Sequence, residues 1–270
     1  MNYFLTLLLF LFVFFDLAEG GQERVLATVL DCDRSYHERT TQTAHIDNNL
    51  RQGDIDAIHE FLECKDSGGL APLEFNSLKN DLVLCLMRQT KTDVRLVPHL
   101  IAMYRDTANN IVWRNYCVQF MGRVYRTSSA QEKELLNETL REVLNDPNPM
   151  LAVTGMVAVE LNGDTMETAK QYGYERAFEL LQKDIPLYVK ITLFQICGMN
   201  RVRPDDVRPM LRVILKESLE IQLKVAAIAA LGEYGFRGDL ETISPYLGSS
   251  DIRLRSAAVT AERKIKEQLK

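Results

Sequence analysis

Two His-Glu dipeptides, His37-Glu38 and His59-Glu60, are the residues of this chain with the clearest potential for metal chemistry. Imidazole and carboxylate groups are the ligands that non-haem iron sites combine, so two such pairs facing one cavity could hold a metal. A dipeptide is a weak motif, and the two pairs stand 22 residues apart. The remaining histidines, His45 and His99, do not complete a ligand set. We therefore interpret both pairs as residues of a solvated surface and expect no metal and no other cofactor.

No other motif in the sequence indicates a catalytic site. There is no glycine-rich phosphate loop, no G-x-S-x-G elbow and no H-E-x-x-H helix, and no two cysteines are spaced for a metal or a redox pair. On this ground we expect no catalytic residues.

The five cysteines differ in their surroundings. An odd number leaves at least one thiol unpaired in an exported chain. Cys85, Cys117 and Cys197 stand in apolar helical runs, where a free cysteine behaves as a small buried hydrophobic residue. Cys32 and Cys64 have more polar neighbours. If any pair is bridged in an oxidising compartment, we expect it to be this one.

A short phrase that recurs along the chain predicts the elements that carry these residues. Residues 221–232 read IQLKVAAIAALG, and a similar phrase begins at Ile252, 31 residues further on. Looser copies lie upstream. Successive copies are 31 to 39 residues apart, which is the repeat length of proteins built from stacked helical hairpins. When the six copies are aligned, one position carries a basic residue in five of them and Val153 in the remaining one. The basic residues are Lys79, Arg114, Lys190, Lys224 and Arg255.

Each phrase has the apolar spacing of an amphipathic helix, and a second amphipathic segment precedes it. Turn residues such as those at 146–149 and 248–251 separate the segments. No alternating strand pattern of useful length is present. The sequence therefore predicts an all-α fold of six helical hairpins over residues 53–270.

The hairpin resembles the HEAT repeat, in the form common in bacterial HEAT-like and phycobiliprotein-lyase-like arrays. The resemblance is carried by Pro-x-Leu in the first helix, as at Pro98, Pro209 and Pro245, and by Lys or Arg followed by Ala-Ala in the second. It implies a right-handed α-solenoid whose second helices line a concave face. One HEAT-like enzyme class, a di-iron hydroxylase acting on a modified lysine, displays His-Glu pairs at equivalent repeat positions. His37 lies outside the repeats here, and no distinct signature for bilin attachment is present.

The N-terminal residues indicate export. The apolar run from Phe4 to Phe15 suits a signal peptide and is short for a membrane span, so we expect a signal peptide over residues 1–20. Residues 21–52 do not join the repeat and are expected to form an N-terminal cap or extension. The net charge of −5 provides no basic surface for nucleic acid or membrane binding. We expect a periplasmic or secreted protein.

Together these observations predict an exported, non-enzymatic scaffold that holds a protein or peptide partner on the solenoid surface. For the basic residues, a local packing role is the favoured alternative, because long basic side chains often lie along neighbouring helices. Two other functions stay open: a metal-dependent or lyase-like enzyme on a HEAT scaffold, and a membrane-anchored scaffold that keeps its N-terminal segment. The candidate binding residues on the second helices are Arg114, Asn115, Gln119, Lys190, Gln195, Lys224 and Arg255.

Overall fold

The computed structural model describes residues 24–91, 93–163 and 166–270, and within them every regular element is helical. The helices are residues 24–30 (α1), Tyr36–Thr43 (α2), Gln52–Glu63 (α3), Pro72–Met87 (α4), Leu96–Arg105 (α5), Ile111–Val124 (α6), Ala130–Leu144 (α7), Pro149–Leu161 (α8), Glu167–Leu181 (α9), Leu187–Met199 (α10), Pro204–Glu217 (α11), Ile221–Tyr234 (α12), Asp239–Ile243 (α13) and Ile252–Gln268 (α14). A 3₁₀ turn, Ser244–Tyr246, follows α13.

From α3 onward the described helices alternate as the first and second members of six hairpins, from α3/α4 to α13/α14. This confirms the predicted all-α fold of HEAT-like helical hairpins. The chain divides into two compact units, residues up to Phe120 and residues from Met121, so that the division falls within α6. Each unit is described by itself below.

The first unit begins with α1 and α2, which pack onto the first hairpin through a buried arginine. Arg39 of α2 has no exposed surface. Its Nε donates a hydrogen bond of 2.7 Å to the carbonyl oxygen of Val29 in α1, and its guanidinium lies 5.2 Å from the centre of the Phe61 ring in α3. Burial lowers the pKa of this guanidinium. Residues 24–46 therefore share a core with the repeats.

A tight turn connects α3 to α4 and positions the first hairpin. Gly68 and Gly69 have φ angles of 57° and 83°, a backbone conformation that favours glycine. Asp66 Oδ1 accepts a hydrogen bond of 3.0 Å from the Gly68 amide. Pro72 then begins α4, where its missing N–H removes no helical hydrogen bond. The end of α3 is thereby held beside the first two turns of α4.

The helices of the second unit approach closely because glycine faces alanine where they touch. A Cβ atom built on Gly198 would lie 2.8 Å from the Cα of Ala230, and one on Gly232 would lie 2.7 Å from the Cα of Ala261. These residues join α10 to α12 and α12 to α14. The same Gly-to-Ala contact recurs between Gly122 and Ala158. The alanine-rich phrase thus sets the distance between successive second helices.

The predicted signal peptide, residues 1–20, lies outside the described residues. Within the part of the chain that the structure describes, no helix has both the length and the apolar character needed to cross a membrane. The expected boundaries at residues 20 and 52, and the expectation of export, stay predictions.

Because of these contacts, replacing Gly232 by alanine should destabilise the second unit. The added Cβ would lie against backbone atoms of Ala261, so we expect a loss of about 1–3 kcal/mol in the free energy of unfolding, measured by urea denaturation. Gly53→Ala is the matched control, since no atom lies within 4 Å of its added Cβ and alanine is the better helix former. Equal stability of the two variants would show that the Gly232 contact is looser than described.

Candidate active site

The basic residues of the second helices mostly have local partners at the end of the preceding helix. Arg114 Nε donates a hydrogen bond of 2.7 Å to the carbonyl oxygen of Tyr104, near the end of α5. Arg255 Nη1 donates one of 2.5 Å to the carbonyl oxygen of Ser249. The Lys224 ammonium lies 5.8 Å from the centre of the Tyr246 ring. These contacts join the two helices of one hairpin and leave each base half-buried.

The other candidate binding residues are not brought to one site. Asn115 and Gln119 are half-buried on α6, and the Asn115 Oδ1 is a buried acceptor that has no hydrogen-bond partner in the part of the chain that the structure describes. In the second unit, Lys190 is half-buried and Gln195 is exposed on α10. The three cavities described below are not lined by any of the seven candidate residues. Their role in binding stays a prediction.

Lys79 of α4 is the exception among the basic positions, because it is buried with only 2% of its surface exposed. Its Nζ donates hydrogen bonds of 2.8 Å and 2.5 Å to the carbonyl oxygens of Leu62 and Cys64, which close the end of α3. The same nitrogen lies 4.5 Å from the centre of the Phe75 ring and 5.2 Å from that of Trp113. The end of a helix carries partial negative charge, so these carbonyls attract the ammonium.

No carboxylate forms an ion pair with Lys79 among the described residues. An ammonium without a counter-ion loses more on leaving water than a neutral amine does. Burial accordingly lowers the pKa of Lys79 to about 8. The unperturbed value for lysine is about 10.4, so the neutral, nucleophilic amine is far more abundant near neutral pH here than on the surface.

The two carbonyl acceptors also orient the amine. A neutral amine has two hydrogens, and Lys79 can donate one to Leu62 and the other to Cys64. Its lone pair then takes a remaining tetrahedral direction, away from the end of α3. In the charged form, the third N–H occupies that direction and interacts with the aromatic rings.

A cavity of about 350 Å³ opens beside Lys79 in the first unit. This volume is at the small end of the range of about 300–1,000 Å³ that small-molecule sites occupy. The cavity is lined by Cys64, Lys65, Ser67, Pro72, Phe75, Asn76, Lys79, Ala108, Asn109, Asn110 and Trp113.

The lining combines aromatic walls with buried polar groups. Asn76 Nδ2 donates a hydrogen bond of 3.2 Å to Asn110 Oδ1, which also accepts one of 2.8 Å from the amide of Val112 at the start of α6. The Trp113 indole is 1% exposed, and its Nε1 has no hydrogen-bond partner among the described residues. A buried amine and aromatic walls therefore meet in one cavity.

Two larger cavities lack a comparable group. One of about 490 Å³, lined by α12 and α14 in the second unit, contains the ion pair of Glu233 and Lys264. One of about 460 Å³ near the start of α3 is lined by Asp93, whose carboxylate is bound by His59. Each of these buried or half-buried groups is bound by an ionisable side chain. Lys79 is bound by backbone carbonyls instead.

The two His-Glu pairs lie in different environments. His37 is exposed on α2, as the surface interpretation predicted. For His59 that interpretation is wrong: it is 2% exposed, and its Nε2 is hydrogen-bonded to the carboxylate of Asp93. The His99 ring meets it edge-on, with 4.3 Å between ring centres. Burial, and then repulsion by His59, lower the pKa of His99.

These residues do not fit a His-Glu metal centre. Glu38 accepts hydrogen bonds from the backbone and hydroxyl of Ser35 and thereby caps α2, and Glu60 is exposed. Across the described ranges, no group of three or more His, Cys, Asp and Glu side chains could hold a metal ion. We derive no reaction step through iron for this chain.

The cysteines divide as their sequence surroundings predicted. Cys85, Cys117 and Cys197 are buried, and burial raises the pKa of each thiol, that of Cys197 to about 12. Such thiols are poor nucleophiles. Cys32 and Cys64 are exposed and free, and both touch the turn between α3 and α4. A bridge between them stays a prediction.

Comparison with known proteins identifies no family. No protein-family model matches the chain, and no curated protein matches it. Among solved structures, the chain is similar to human deoxyhypusine hydroxylase in complex with glycerol, with 16% identity and a TM-score of 0.41. The similarity covers 93% of this chain and 98% of that chain.

This finding contradicts the prediction of a non-enzymatic scaffold, because the structure that it matches is that of an enzyme. We withdraw that prediction and the expectation that the chain is not an enzyme. A likeness at this TM-score and identity indicates no reaction for this chain.

The titration of Lys79 is directly measurable. In protein carrying isotope-labelled lysine, we expect one side-chain NMR resonance to titrate with a midpoint near 8, below the ordinary lysine value of about 10.4. Lys79→Arg should remove that resonance and leave the others in place. If no lysine resonance titrates near 8, the pKa assigned to Lys79 is wrong.

The same shift predicts how stability depends on pH. Between about 8 and 10.4 the unfolded chain binds the Lys79 proton more often than the folded protein does, so the free energy of unfolding gains a rising contribution with pH. Lys79→Met should remove this contribution. The difference in unfolding free energy between wild type and variant, measured by urea denaturation at pH 8 and pH 10, should therefore change in favour of the wild type. A constant difference would contradict the assigned pKa.

Proposed function

We propose that the chain is an enzyme that forms an imine between Lys79 Nζ and the carbonyl carbon of a small substrate bound in the cavity beside it. The observation that carries the proposal is a lysine 98% buried, without a carboxylate partner, in the wall of a 350 Å³ cavity. Desolvated lysines in apolar surroundings are the nucleophiles that proteins use for imine formation. Perturbed titratable groups in clefts are also typical of active sites.

The step begins with the neutral amine. Its lone pair attacks the carbonyl carbon, and the electrons of the C=O double bond move to the oxygen. The nitrogen, now positively charged, releases one of its two protons while the oxygen takes one up, with solvent water carrying the proton, and a neutral carbinolamine results. Its hydroxyl group takes up a second proton and leaves as water, while the nitrogen releases its remaining proton and forms the C=N bond with carbon. In total, one amine and one carbonyl give one imine and one water, and no oxidant or reductant is consumed.

The surroundings of Lys79 support each part of this step. The carbonyls of Leu62 and Cys64 hold the two hydrogens, so the lone pair is oriented before the substrate arrives. The rings of Phe75 and Trp113 lie 4.5 Å and 5.2 Å from the amine and bury it. Lys65, the other lysine that lines the cavity, differs in being exposed and paired with Asp106 at 2.7 Å.

Support for the proposal comes from the first unit alone, and the second unit adds no group to the step.

The HEAT-like helical fold is established by the helices. That this chain belongs to the secreted, lyase-like type of HEAT array is a more specific statement than the fold supports, and it stays a proposal.

Reductive trapping tests the proposed step. Protein incubated with benzaldehyde and then reduced with borohydride should carry a stable secondary amine at Lys79, located by mass spectrometry of its peptides. We expect the trapping rate to rise with pH with a midpoint near 8, because only the neutral amine reacts.

Two variants control the experiment. Lys79→Arg keeps a buried cation at the end of α3 and should abolish the adduct in that peptide, since a guanidinium stays protonated. Lys216→Arg, at an exposed position of the second unit, should leave trapping at Lys79 unchanged. Adducts confined to surface lysines in the wild type would refute the proposal and leave Lys79 as a structural cap of α3.

A further inference from the structure

The thiol of Cys64 is a second nucleophile at the cavity that holds Lys79. Cys64 is exposed and free, and it lines the same cavity of about 350 Å³. Cysteine is an intrinsically strong nucleophile that enzymes use to form covalent bonds with substrates. Imine formation at Lys79 makes no use of this group, so its place beside the amine calls for a role of its own.

Backbone contacts hold this thiol close to the amine. The carbonyl oxygen of Cys64 accepts the hydrogen bond of 2.5 Å from Lys79 Nζ. Covalent geometry keeps the sulfur of a cysteine within about 5 Å of its own carbonyl oxygen, so Cys64 Sγ lies within about 8 Å of the amine. Sγ also donates a hydrogen bond of 3.3 Å to the carbonyl oxygen of Asp66, in the turn whose residues Lys65 and Ser67 line the cavity.

The two groups also interact electrostatically. Burial lowers the pKa of Lys79, and the Cys64 thiolate opposes this effect by raising it. Among the charged groups that act on this amine, Cys64 has the largest effect. Because the energy between two charges falls with their separation, this effect agrees with the short distance that the backbone contact sets.

The two nucleophiles differ in their access to solvent. Cys64 is exposed in the turn between α3 and α4, whereas Lys79 is only 2% exposed. A molecule that enters from solution therefore meets the thiol before the amine. Once bonded to the thiol, it presents its remaining reactive atom to the amine at a high local concentration.

We infer that the substrate is a small α,β-unsaturated aldehyde, which Cys64 captures at its β carbon and then delivers to Lys79 at its carbonyl carbon. The inference rests on the proposed imine chemistry at Lys79. It adds a catalytic residue and a substrate class to that chemistry.

Atoms and electrons balance in both steps. The sulfur of Cys64 attacks the β carbon and forms a C–S bond, the electrons of the C=C double bond move to the α carbon, and the thiol proton reaches that carbon through solvent water. The product is a saturated aldehyde tethered to Cys64. Lys79 then forms an imine with its carbonyl group, and one water is released. In total, one thiol, one amine and one unsaturated aldehyde give one cross-linked imine and one water, without an oxidant or a reductant.

The substrate class follows from the presence of two nucleophiles at this spacing. An α,β-unsaturated aldehyde has two electrophilic carbons, and it joins a nitrogen to a sulfur through three carbon atoms. Such a bridge spans about 5 Å, a separation that rotation of the exposed Cys64 side chain can provide. A saturated aldehyde has one electrophilic carbon and leaves the thiol unused. The volume of about 350 Å³ and the rings of Phe75 and Trp113 favour a small, apolar remainder.

Two three-carbon aldehydes that differ by one double bond, acrolein and propanal, test the inference. The full chain is reduced, freed of the reductant and reacted with each aldehyde and cyanoborohydride, which converts the imine to a stable amine. We expect acrolein to give a cross-link between Cys64 and Lys79, located by mass spectrometry of the peptides, and propanal to modify Lys79 without a cross-link. A cross-link from Cys64 to the adjacent Lys65 in place of Lys79 would overturn the inference.

Replacing the thiol tests whether it delivers the aldehyde. Cys64→Ser keeps the backbone carbonyl that binds Lys79. It should lower the rate of Lys79 trapping by acrolein at least about 10-fold, because the aldehyde must then reach the amine from solution, and it should leave trapping by propanal unchanged. Cys32→Ser is the matched control and should react as the wild type does with both aldehydes. Cys32 is also exposed and free and lies against Gly68 in the same turn, but it does not line the cavity.

The two aldehydes separate the possible failures. Equal acrolein trapping by the wild type and Cys64→Ser would overturn capture by the thiol, while trapping by propanal would still support imine formation. An equal fall with both aldehydes would also overturn it, because the thiol would then serve only to hold the turn. If neither aldehyde modifies Lys79 in the wild type, the imine chemistry itself is refuted, and the inference with it.

Discussion

The buried ammonium of Lys79 is the interaction on which the proposed chemistry depends. Its charge is balanced by the two carbonyls that end α3 and by two aromatic faces, not by a carboxylate. This balance is incomplete, because dipoles and ring faces stabilise a cation less than an ion pair in the same place would. The residue consequently loses its proton more readily than an ordinary lysine does, which is what the proposed nucleophile requires.

The residues at the same position in later hairpins make contacts similar to those of Lys79. Arg114 and Arg255 also reach back to carbonyls near the end of the preceding segment, and both remain half-buried. An arginine cannot give up its proton in this setting, whereas a lysine enclosed by aromatic rings can give up its proton. The repeat therefore supplies the geometry at several places, and the aromatic enclosure by Phe75 and Trp113 makes the first hairpin chemically different.

Local pattern was sufficient to predict the helices. The helix Pro204–Glu217 is one of the amphipathic segments expected before a repeated phrase, and its apolar spacing, its leading proline and the break at Ser218 are all local signals. The close approach of successive second helices was also visible as alanine and glycine in the repeated phrase. The site was not predictable in this way. Lys79 was identified only as one basic residue of a series, since burial depends on residues far along the chain, such as Trp113.

His59 shows the same limit. Its dipeptide with Glu60 drew attention to metal chemistry, whereas its actual partner is Asp93, 34 residues away and in the turn before α5. The absence of a sequence motif led equally to the wrong expectation that the chain is not an enzyme. Imine chemistry needs one desolvated amine and a cavity, and neither leaves a short motif in the sequence.

Imine formation at Lys79 is tested most directly by a crystal structure of the full chain after reaction with benzaldehyde and borohydride. We expect continuous electron density from Lys79 Nζ into the cavity, with the added ring against Phe75 and Trp113. Imine formation there would be contradicted if Nζ were unmodified on the carbonyls of Leu62 and Cys64, the cavity were filled only by water, and the adducts were confined to surface lysines.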